Sequence, residues 1–123
     1  MGKARLLAIS RLVGPLLLIC GAPLAAQDHV PWAGHYFLEG VMETGSELLL
    51  RPDGRFQWYL VYGALDLFAE GQWTQKDGQI VLTAEPTKDV PRPGFAAMTL
   101  TPRDGALVPA DGRGAYKKAR ADD

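Results

Sequence analysis

The chain has 123 residues and a formal charge of −1, with one cysteine, two histidines and no asparagine. Beyond the first 26 residues, ten basic side chains face fourteen acidic ones, a formal charge of −4. That balance argues against a nucleic-acid or anionic-membrane partner, both of which need a basic surface, and the lack of Asn removes any N-glycosylation acceptor.

The start of the chain reads as a secretory signal. Residues 1–11 carry Lys3, Arg5 and Arg11 and no acid, and residues 12–26 are an apolar run ending in small side chains. Gly14, Pro15 and Pro23 interrupt that run, and it is short for a membrane span. Cleavage after Ala26 is expected, leaving a single domain over 27–123, periplasmic or secreted, with no membrane span. Cys20 follows Ile19 rather than a small residue, which disfavours lipid attachment, and it departs with the signal. The remaining chain then has no disulfide, thiolate metal site or cysteine nucleophile. Abundant Ala, Gly and Arg point to a bacterial source. Flexible ends are expected at 27–31 and 120–123.

The rest of the chain reads as short strands joined by tight turns. A first strand is expected at 35–38 and a second at 47–50. The turn Arg51-Pro52-Asp53-Gly54 leads to the clearest strand, Arg55–Tyr62, with Phe56, Trp58, Leu60 and Tyr62 on one face. Residues 64–70 read as one helical turn or a linking loop. Residues 71–74 and 79–83 form a hairpin across Asp77-Gly78, with Trp73, Ile80 and Leu82 inward. Three prolines make 86–94 a loop or an edge crossing rather than a central strand. Residues 95–100 and 106–108 pair across a turn holding Asp104-Gly105, and a last strand covers Ala115–Lys118 with Tyr116 inward.

The fold class is therefore all-β: a small antiparallel meander of about eight strands closing as a barrel, with a two-layer β-sandwich as the alternative. Gly34-His35-Tyr36, residues 47–56 (ELLLRPDGRF), Gly71-Gln72-Trp73 and residues 78–82 carry a resemblance. They resemble small bacterial exported domains with lipocalin-like or partial-barrel folds, including the barrel module of some envelope-stress lipoproteins. The resemblance implies a fold and little function. The chain is shorter than a ligand-enclosing lipocalin, which argues against a large cavity.

Little in the chain suggests catalysis. His29 and His35 with Asp28 make no recognised ligand spacing, so no metal site and no cofactor are expected. The Asp-Gly pairs lack the oxygen-rich run of a calcium loop. Ser46 is the only serine after the signal and stands outside a G-x-S-x-G elbow. Glu39, Glu43 and Glu47 read as solvated charge along a loop. Asp66 lies among apolar neighbours, either capping a turn or pairing with Arg55 or Arg92, or else anchoring a small pocket with Trp58, Tyr59 and Tyr62.

Those four residues are the ligand or interface candidates. The leading expectation is an exported, non-catalytic binding or interaction module of the bacterial cell envelope, as a homodimer or on an envelope partner. A small apolar-ligand binder with a barrel pocket is the alternative, and a hydrolase using Asp66 ranks behind both.

Overall fold

A computed structural model describes residues 30–120; the expected signal peptide, Cys20, His29 and the last three residues lie outside them. A single 3-10 turn, Val30–Trp32, leads into eight strands: β1 Gly34–Glu39, β2 Thr44–Leu50, β3 Arg55–Tyr62, β4 Leu65–Lys76, β5 Gln79–Ala84, β6 Ala97–Arg103, β7 Ala106–Pro109 and β8 Ala115–Lys118. Each strand pairs antiparallel with the next, and β8 returns to β1 with Leu38 opposite Tyr116, so the meander closes into a barrel rather than a sandwich. Closure removes the free sheet edges of an open meander.

Period-two alternation decides which side chains fill the interior. Tyr36, Leu48, Leu50, Phe56, Trp58, Trp73, Ile80, Leu82, Leu100, Leu107 and Tyr116 are all buried. The inward expectations for Trp73, Ile80, Leu82 and Tyr116 agree with this core. Two hairpins turn on Asp-Gly pairs in which both residues have positive φ, Asp77-Gly78 (51° and 77°) and Asp104-Gly105 (52° and 80°). These are two-residue turns whose twist matches that of the flanking strands.

One element differs from the sequence reading. Residues 65–70 form neither a helical turn nor a loop but the first half of β4, a strand of twelve residues. Leu65, Leu67 and Ala69 alternate with Asp66, Phe68 and Glu70, and all six pair with β3. On its other side this half-strand meets the 85–96 segment instead of a strand. The Glu85 N–H donates to the Glu70 carbonyl at 2.9 Å and the Gly94 N–H to the Phe68 carbonyl at 2.7 Å. Gly94 fits closely there: a Cβ would stand 3.0 Å from Leu67 and 3.2 Å from the Trp58 ring, so these neighbours would have to give way by a few tenths of an ångström. Near the end of the segment Phe95 stands outside the expected strand and packs inward, edge-on to Trp58 at 4.9 Å between ring centres.

Alternating strand direction makes the two ends of the barrel unlike. Residues 51–54, 77–78 and 104–105 lie at one end with the Val30–Trp32 turn, where the Tyr36 hydroxyl donates to the Trp32 carbonyl at 2.8 Å. The connections 40–43, 63–64, 85–96 and 110–114 lie at the other.

Candidate functional site: the barrel mouth

That second end is open. A half-open cavity of about 620 Å³ lies between the 40–43, 63–64 and 110–114 turns, bordered by Val41, Met42, Leu60, Leu65, Met98 and Pro109, with Trp58 and Tyr116 toward the barrel interior. The volume falls within the range of small-molecule sites, but the cavity is half open at the mouth and the barrel interior below it is filled by the core side chains. Glu43, Asp111 and Arg113 supply charge at the turns. Three of the large apolar side chains most open to solvent gather here, Met42 at 83%, Tyr62 at 57% and Leu65 at 49% exposure. Single exposed apolar residues are ordinary; a cluster around a concave opening is not.

Strand register explains the gathering. Tyr62 and Leu65 face each other across the two-residue turn that ends β3 and begins β4, both on the inward face. Trp58 lies four residues earlier on that face, deeper in the barrel.

Beneath the cavity runs a chain of hydrogen bonds. Trp58 Nε1 donates to the Tyr116 hydroxyl at 3.0 Å, Tyr116 contacts Ser46 Oγ at 2.7 Å, and Ser46 donates to the Tyr59 carbonyl at 2.6 Å. All three side chains are nearly inaccessible, at 6%, 2% and 4% exposure. Burying these polar groups is tolerable because each has a partner. The chain ties β8 to β2 and β3 across the interior.

The sequence candidates divide between the two sides of the wall. Trp58 and Tyr62 border the mouth cavity. Tyr59 points outward, where its hydroxyl donates a short hydrogen bond to Glu47. Asp66 is exposed on the outer face opposite Val61 and borders neither the mouth cavity nor the outer hollow. Its suggested partner Arg55 instead pairs with Glu85 at 2.9 Å. The four residues therefore do not share one pocket. Ser46 and Tyr116 were missed as site residues; the signal was the inward alternation Ser46, Leu48, Leu50, hidden by starting the second strand at Glu47, three residues after its true start at Thr44.

The outer wall has its own polar centre. Glu47 holds His35 Nε2 at 2.6 Å in addition to Tyr59, so it is a bonded carboxylate on β2 and not loop charge. The Tyr59 hydroxyl, ahead of His35, holds the Glu47 carboxyl below its usual range, and the same bond raises Tyr59. A shallow hollow of about 320 Å³ runs past these groups to Phe68, Glu70 and Val90. Phe68 and Phe37 beside it are 51% and 37% exposed.

Among the described residues, no three of His, Cys, Asp or Glu are grouped to hold a metal ion, and no helix is long and apolar enough to cross a membrane. No protein-family model matches the chain, and comparison with curated proteins and solved structures gave no significant match.

Proposed function

We propose that this chain is an exported, non-catalytic binding module of lipocalin-like form, which takes a small apolar molecule into the open end of its barrel. The observation that carries the reading is the mouth cavity, with apolar walls and exposed Met42, Tyr62 and Leu65 around it. Burying those side chains against a ligand removes apolar area from water, at about 25 cal/mol per Å². Trp58 stacks the cavity's inner side and makes occupancy visible in tryptophan emission.

Titration of the purified protein with C8–C12 alkanes and alcohols is expected to give a saturable emission change, lost in Trp58→Phe, together with a rise in melting temperature. No saturable change and no thermal shift across the panel overturns the reading. The basic, apolar and small-residue order of residues 1–26 supports export to the periplasm or beyond. A reporter active only outside the cytoplasm, fused after residue 26, tests it.

A second reading is favoured by the outer wall. Phe37, Tyr59 and Phe68 lie in one row across β1, β3 and β4, with Glu47 between the first two. Such a face suits contact with a second copy or an envelope protein. Light scattering at micromolar concentration tests the homodimer form, and a strict monomer overturns it.

A further inference from the structure

We infer that the inner end of the mouth cavity prefers a ligand bringing a hydrogen-bond donor, such as an alcohol or N–H group, over one bringing only an acceptor. The inference rests on the proposed binding of small apolar molecules there and names the chemistry of its deep end.

It follows from the direction of the protons. A peptide carbonyl cannot donate, so Ser46 uses its only hydroxyl proton on the Tyr59 carbonyl. Ser46 must then accept in its contact with Tyr116, which makes Tyr116 the donor. An indole N–H donates and never accepts, so Tyr116 receives the Trp58 proton. The protons run one way, from Trp58 through Tyr116 and Ser46 to the Tyr59 carbonyl, and every donor in the chain is engaged.

Of these groups only Trp58 and Tyr116 border the cavity. The Trp58 N–H is occupied, whereas the Tyr116 oxygen retains acceptor capacity. Thr44, also on the wall, directs its hydroxyl proton to the Met42 carbonyl at 3.1 Å. The remaining side-chain donors of the lining, Tyr62 and Arg113, stand at the exposed rim. A carbonyl or carboxylate that reached the Tyr116 oxygen would find no free proton on it, while a hydroxyl that reached it could donate to it. Leaving a buried acceptor unpaired is the larger of the two effects.

The probes are 2-octanol and 2-octanone, which share a skeleton and differ in the donor, with n-octane as the apolar baseline. Each is titrated into the protein by tryptophan emission and calorimetry. The alcohol is expected to bind about two- to tenfold tighter than the ketone, the span of one net hydrogen bond. In Tyr116→Phe the Trp58 N–H is released and the preference vanishes or inverts. Ser46→Ala, which frees the Tyr116 proton, shrinks it as well and serves if the first variant fails to fold.

A ketone binding as tightly as the alcohol in the unaltered protein overturns the inference and leaves the cavity reading standing. A preference unchanged in the folded variants overturns the assignment to Tyr116. If none of the three probes binds, n-octane included, the cavity reading fails and this inference with it.

Discussion

Trp58 on β3 and Tyr116 on β8 meet through a 3.0 Å hydrogen bond, although the two strands are not neighbours in the sheet. The bond spans the interior and links two strands that are separated in the sheet by β1 and β2. Removing one partner leaves the other buried and unsatisfied. Tyr116→Phe is therefore expected to destabilise the fold by about 1–3 kcal/mol, measured by urea denaturation. Adding Trp58→Phe to it should cost less than the sum of the single changes, because the pair fails together. Strict additivity would show that the bond contributes nothing of its own.

Acid should weaken the outer wall at Glu47. Its folded pKa is held below the ordinary value of 4.5 by Tyr59 first and His35 after it. The sign follows: the folded state binds that proton less readily than the unfolded chain, so the stabilisation is present above 4.5 and lost as pH falls through the depressed folded value. Glu47→Gln should flatten this part of the acid limb in a melting-temperature series from pH 6 to pH 2. An acid limb of unchanged slope counts against the role.

At the alkaline extreme the sign reverses and the residue is Tyr36. Burial pushes its hydroxyl from 10.0 up to about 12. The unfolded chain loses this proton first, so stability is fully present below pH 10 and lost as pH rises toward 12. Tyr36→Phe should reduce that slope, the part due to Tyr59 remaining, while losing the bond to the Trp32 carbonyl. Denaturant midpoints between pH 9 and pH 12 measure it.

Gly71 sits on the interior face of β4, where a Cβ would lie 2.1 Å from the Thr83 carbonyl oxygen. That oxygen is backbone and cannot rotate away. Gly71→Ala should cost at least about 3 kcal/mol, at the upper end of overpacking effects, and the loss of a cooperative thermal transition would be its most direct sign. A variant as stable as the parent would contradict the register of β4 against β5.

Asp66→Ala is expected to change stability by no more than about 0.5 kcal/mol, as for an exposed position without special contacts, and to leave binding of 2-octanol unaltered. Denaturation and the same titration check both halves. A large loss of binding would restore Asp66 to the pocket suggested by its apolar neighbours.

Most strands were legible because alternation and Asp-Gly turns are local signals. Residues 65–70 were not, since the inward positions include small Ala69 while the outward ones include Phe68, which blurs the contrast between faces. Barrel against sandwich turned on the pairing of β1 with β8, a contact between the two ends of the fold that no local pattern encodes. Trp58 and Tyr62 were visible as members of an aromatic alternation. Ser46 and Tyr116 stand 70 residues apart and become partners only after closure.

The unlike ends of the barrel differ in how far their connections are tied to the strand register. Two of the tight Asp-Gly hairpins sit at the closed end, where a changed turn length would slip the register of whole strands. The turns 40–43, 63–64 and 110–114 carry the cavity's outer walls and little of the core. Exchanging them by loop grafting should reshape the mouth cavity while the same eight strands continue to fold beneath it.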